Sequence, residues 1–225
     1  MSISALQTEW IQLYDELDKA FPGDALAAPF LSAQDATEGA QKRQILLVGK
    51  ATAEGWGKEP FDLMKNEPLM ERLEERRRFT SEHLEFRRNR DRNPPAFWRC
   101  WHRLGLISPP VMPVIWTNLA KIGVDSGNPS QRLIERQSAL AQRTLWAEME
   151  EYKPALVVLV TNKFAADEIA HPVFGDRDSW EQPTDSMWFK RATQTDPAML
   201  WVDHPQMKRK DEVDLWLKVA QELIS

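Results

Sequence analysis

The chain has 225 residues and 26.0 kDa, with 42% hydrophobic and 28% charged residues, which excludes a disordered or membrane composition and can fill one sizeable core. A net charge of −5 argues against a surface that is basic everywhere, though not against a local basic face. Cys100 is the single cysteine, so an internal disulfide and cysteine-based zinc motifs are excluded and a reducing cytoplasm fits best.

The first segment reads as an amphipathic helix over 4–20. Ser4 with Gln7 resembles a capping box, and Leu6, Trp10, Leu13, Tyr14 and Leu17 fall on one face. It carries acids and no basic leader, so no signal peptide is expected, and no apolar run approaches the roughly 20 residues that span a bilayer. Ile45 to Val48 is a short apolar run without alternation, the pattern of a strand buried on both faces. Gly49 ends it, and Lys50, Ala51, Thr52, Glu54 and Trp56 follow at its carboxyl end. Open α/β sheets bind ligands at that edge. The competing reading is a buried strand entering an ordinary surface turn.

Residues 60–104 form an expected helical insertion rich in arginine, with a charged helix from Pro68 to about Asn89. A short helix follows, marked by Phe97, Trp98, Trp101 and Leu104. Val114–Trp116 is the second strand, ending in Thr117-Asn118. Ser130 caps a long helix reaching about Tyr152, and Ala155–Val160 is the clearest buried strand. Thr161-Asn162 is read as the cap of a short helix from Lys163 to Ala170, and Met187–Ala192 as an edge strand. Met199–Val202 is the last strand, with Asp203-His204-Pro205-Gln206 at its carboxyl end, before a final helix from Lys210 to Ile224. Strands alternate with helices, so the expectation is one domain over 1–225: α/β, a three-layer α/β/α sandwich with a mostly parallel central sheet.

Three strands thus end in polar groups, and parallel strands would bring these to one edge. Their order resembles the uracil-DNA glycosylase superfamily. There, a first strand ends in Gly with a polar loop, a second ends in Asn, and the last ends in His-Pro. The resemblance spans Arg43 to Ser225. It implies that Gly49 to Glu54 is the first motif, that Asn118 reads a flipped base, and that His204-Pro205 is the second motif. This sequence has Lys50 where that family has an acid or Gln, and Gln206-Met207-Lys208 where it has Ser-Pro.

The expected function is an N-glycosidic hydrolase on damaged DNA, without cofactor or metal, holding a nucleobase- or nucleotide-sized ligand. Glu54 and His204 are the candidate catalytic pair. A carboxylate can orient water, and a histidine can stabilise a leaving base anion. Gly49, Lys50, Ala51, Thr52, Trp56, Asn118, Pro205 and Gln206 are the candidate substrate-binding residues. Lys50 alternatively offers a phosphate contact. For His204 the competing role is a hydrogen-bonded histidine that fixes the strand-to-helix turn. For the whole protein, the alternative is a non-catalytic nucleic-acid- or protein-binding member of the fold.

Glu71 to Arg103 holds ten arginines against six acids, which leaves that span at +4 and the rest of the chain at −9. Arginine favours bidentate phosphate contact. Arg76, Arg77, Arg78, Arg87 and Arg88, with Lys208, are the candidate nucleic-acid contacts. A solvated helix laced with i,i+4 ion pairs is the competing explanation. DNA or a nucleotide is the expected partner, and a membrane is not.

Overall fold

A computed structural model describes residues 3–27, 29–32, 43–51, 96–107, 112–124, 126–206 and 208–225. Six strands form one sheet: β1 (Ile45–Gly49), β2 (Val114–Asn118), β3 (Leu156–Val160), β4 (Glu181–Thr184), β5 (Met187–Lys190) and β6 (Ala198–Val202). The spatial order is β2-β1-β3-β6-β5-β4. The first four are mutually parallel, whereas β5 pairs antiparallel to β6 and β4 antiparallel to β5. The sheet is therefore mostly parallel, as the apolar runs predict.

Those runs lack alternation because helices cover both faces. On one face Leu46, Val48, Ile115, Val157, Leu159, Met199 and Trp201 pack with α1 (Ile3–Ala20) and α3 (Gln131–Tyr152). On the other, Ile45, Leu47, Val114, Trp116, Val158, Val160, Leu200 and Val202 pack with α2 (Ala96–Gly105) and α5 (Lys210–Ile224). Between β3 and β4 lies the single-turn α4 (His171–Phe174). In α2 the Cys100 thiol is buried and burial pushes its pKa up to about 12, so it packs as an apolar group and not as a thiolate. Ser130 caps α3, its side chain accepting from the Leu133 N–H at 3.3 Å. Among the described residues no helix is long and apolar enough to cross a membrane.

Three expectations need correction or fall outside the described residues. Met187–Lys190 is not an edge strand, because β4 pairs on its outer side. Glu181-Gln-Pro-Thr184 is largely exposed and contains proline, which suits an edge but carries no apolar signal. The helix expected over Lys163–Ala170 is instead a turn leading to a π-helical turn, Ala166–Ala170. Asn162 and Ala165 take left-handed φ values of 54° and 48°, which interrupt any α-helix from Lys163. The helix from Pro68 to Asn89, most of the 60–104 insertion and the Ser4 and Gln7 side chains lie outside the described residues; 96–104 belongs to α2.

A buried polar cluster secures the chain beyond β2. Lys121 and Glu148, both fully buried, pair at 2.9 Å. Thr117 Oγ1 donates to Glu148 Oε2 at 2.8 Å, and Ser32 N donates to its Oε1 at 3.1 Å. Gln137 accepts from Ile122 N and donates to Ile122 O, both at 2.9 Å. These bonds lock the exit of β2 onto α3.

Candidate functional site at the strand carboxyl ends

Register decides which polar side chains meet. Gly49 stands opposite Asn118 in the β1–β2 pair. A Cβ on Gly49 would lie 2.4 Å from Asn118 Oδ1 and 3.3 Å from the Phe97 ring, so the Asn118 amide crosses over β1 because residue 49 has no side chain. Trp116 Nε1 donates to that Oδ1 at 3.1 Å. An indole N–H can only donate, so this bond identifies the amide oxygen and turns Nδ2 the other way. Nδ2 is buried and finds no acceptor among the described residues. A buried donor left unpaired costs about 1–3 kcal/mol, so a ligand acceptor there would gain the corresponding stabilisation.

One residue further along, the β1–β3 and β3–β6 registers continue to Lys50, Thr161 and Asp203 in a single row. On the other side of β1, Ala120 N donates to Lys50 O at 2.9 Å, which carries the β1–β2 pair past Asn118. Thr161 Oγ1 is buried and has no partner among the described residues. Burial pulls the Lys50 ammonium below its ordinary pKa, with Asp203 opposing that shift. Asp203 itself is committed: Lys208 Nζ donates to its Oδ2 at 2.9 Å and lies 3.7 Å from Glu212. Asp203 and Glu212 in turn raise the Lys208 pKa.

His204 begins the next row. Burial, and after it the charge of Lys50, pushes its imidazole down to about 4, so the ring is neutral at pH 7. Gln206 N donates to Nδ1 at 3.2 Å, which places the remaining proton on Nε2. Asn162 Oδ1 accepts from the His204 backbone N–H.

The structure therefore sets Gly49 against Asn118 across the β1–β2 pair and Lys50 within electrostatic reach of His204, while β2 and β6 are separated by β1 and β3 in the sheet. Ala51, Pro205 and Gln206 follow these residues in the chain. Thr52, Glu54, Trp56, Arg76, Arg77, Arg78, Arg87 and Arg88 lie outside the described residues. His204 is neutral, and the bond from Gln206 N to its Nδ1 is the turn-fixing contact of its competing role. Lys208 pairs with Asp203.

Sequence reasoning missed Thr161 as a site residue and misread Asn162 as a helix cap. A polar pair directly after an apolar strand is the same signal that singled out Thr117-Asn118 and Asp203-His204. Among the described residues no group of three or more His, Cys, Asp or Glu is placed to hold a metal ion. No family model matches the chain, and no curated protein matches it significantly.

Proposed function

We propose that this protein is a divergent relative of the uracil-DNA glycosylase fold that holds a nucleobase- or nucleotide-sized ligand at the carboxyl ends of β1, β2, β3 and β6. Asn118 Nδ2, which has no acceptor among the described residues, carries this reading, since a buried, oriented amide donor asks for a ring carbonyl or imine acceptor. The neutral His204 adds a second donor through Nε2. Lys50 offers a cation for a phosphate.

The enzymatic form of this reading is N-glycosidic hydrolysis on damaged DNA. Water would add its oxygen to the anomeric carbon and give its proton to Glu54. The C–N electron pair would leave with the base, which His204 Nε2–H would stabilise by hydrogen bonding. A base must first leave the stack to reach such a pocket, with Arg76, Arg77, Arg78, Arg87 and Arg88 contacting the backbone. The second reading, a binding protein without catalysis, is favoured by one observation. The described strand ends supply a cation and donors, while their carboxylate, Asp203, is tied to Lys208. A cation at Lys50 opposes a developing positive sugar, so efficient uracil excision is not expected.

Calorimetric titration with uridine monophosphate tests the ligand. Binding weakened roughly tenfold or more by Asn118→Ala, the effect of losing about 1.4 kcal/mol, is the expected result. No detectable binding by the unmodified chain overturns it. Single-turnover assays on uracil-containing DNA separate the two forms. Robust excision, abolished by Glu54→Gln and His204→Ala but retained in Lys50→Ala, would establish the enzymatic form with Glu54 as the water-activating acid.

A further inference from the structure

One buried charged group beside the site has no place in ligand contact. Arg177 is 6% exposed, and its guanidinium lies 4.2 Å from the Trp188 ring centroid and 5.1 Å from that of Trp201. Arginine is rarely buried without compensation. Here the two indole faces supply part of it. The rest is directional: Arg177 Nη1 donates to the Asn162 carbonyl at 3.4 Å, and Trp201 Nε1 donates to the same oxygen at 2.8 Å. Trp188 and Trp201 are themselves cross-strand partners on β5 and β6, so this clamp is built into the sheet.

Asn162 converts the clamp into a constraint on the site. Its backbone is left-handed, which asparagine tolerates better than most residues, and that turn presents its side chain towards β6. Oδ1 then accepts from the His204 N–H, across the β3–β6 boundary. His204 in turn has its Nδ1 engaged by Gln206 N. Among the described residues, the charged groups in electrostatic reach are Lys50 just after β1, which acts on the imidazole, and Asp203, which acts on Lys50 and pairs with Lys208.

We infer that Asn162, clamped by Arg177 between Trp188 and Trp201, is the positioning residue for His204. It fixes the loop after β6 against the end of β3, so that the imidazole keeps Nδ1 on Gln206 and leaves Nε2–H as the ligand donor. The importance of His204 rests on the proposed ligand reading; the clamp itself stands on the contacts above.

The test is nitrogen-15 histidine NMR on the full chain without ligand, comparing the unmodified protein with Asn162→Gly, Asn162→Asp and Arg177→Gln. Glycine keeps the left-handed turn without its side-chain acceptor, and aspartate keeps an acceptor. The expected pattern is a single Nε2–H tautomer in the unmodified chain and in Asn162→Asp, but mixed tautomers in Asn162→Gly and Arg177→Gln. In Asn162→Gly the His204 titration should move up by about one pH unit or more as the ring gains solvent. An unchanged tautomer and midpoint in Asn162→Gly overturns the inference. If that variant does not fold, hydrogen exchange of the His204 amide in the unmodified chain decides. Protection supports the clamp, and exchange at the rate of an open loop overturns it. A single tautomer in a chain that binds no uridine monophosphate would reject the ligand reading and leave the positioning role standing.

Discussion

At the scale of single residues, the site is set by what Gly49 lacks. Its missing Cβ leaves room for the Asn118 amide, and Trp116 then turns that amide so that Nδ2 finds no acceptor among the described residues. Gly49→Ala should therefore destabilise the protein by about 1–3 kcal/mol, the usual cost of forcing a methyl group into a packed site. Chemical denaturation would measure it. In an Asn118→Ala background much of that cost should disappear, because the 2.4 Å overlap is with the Asn118 side chain. Equal costs in both backgrounds would place the strain elsewhere, on Phe97 or Trp116. Asn118 and His204 were legible in the sequence because each is a polar residue interrupting an apolar run. Arg177 was not: its partners, Asn162, Trp188 and Trp201, lie on three separate segments that only tertiary folding assembles.

At the scale of elements, burial on both faces made β1, β2, β3 and β6 readable as apolar runs, with ends within a residue or two of those expected. The same logic explains why β4 was invisible, since an exposed edge strand needs no apolar residue. The π-helical turn escaped notice because left-handed Asn162 and Ala165 carry no glycine signal, and Asn162 adopts that turn to serve the His204 loop. The polar cluster under β2 was equally silent. Lys121 and Glu148 look like surface charges in sequence, yet both are fully buried, with burial pulling the Lys121 pKa down against the pull of Glu148. Removing one partner of a buried pair strands the other charge. Lys121→Met should cost about 3–5 kcal/mol, read from urea denaturation. Adding Glu148→Gln should restore most of the loss, because an amide oxygen at the Oε1 position can still accept from both Ser32 N and Thr117 Oγ1. A double variant no more stable than Lys121→Met would mean that the pair contributes by packing and not by charge.

At the scale of the whole molecule, the distribution of charge separates a nucleic-acid partner from a free nucleotide. The chain is acidic overall, and outside Glu71 to Arg103 it carries −9, so most of its surface repels a polyanion. Lys208 does not relieve this, being neutralised by Asp203. Binding to DNA would have to rest on the arginine-rich span, whose net +4 is the chain's main local excess of positive charge. Each phosphate neutralised releases condensed counterions, and the logarithm of affinity falls with the logarithm of salt at a slope of about −0.9 per contact on duplex DNA. Replacing Arg76, Arg77, Arg78, Arg87 and Arg88 with Gln should thus weaken binding at low salt and flatten the slope by as much as about 4 to 5. Gel-shift titrations at several salt concentrations would measure both. Uridine monophosphate affinity should not change in the same variant, because its proposed contacts are Lys50, Asn118 and His204. If the unmodified protein fails to shift DNA even at low salt while still binding the mononucleotide, the span is a solvated, ion-paired segment. The ligand would then be a free nucleotide and not a base turned out of DNA.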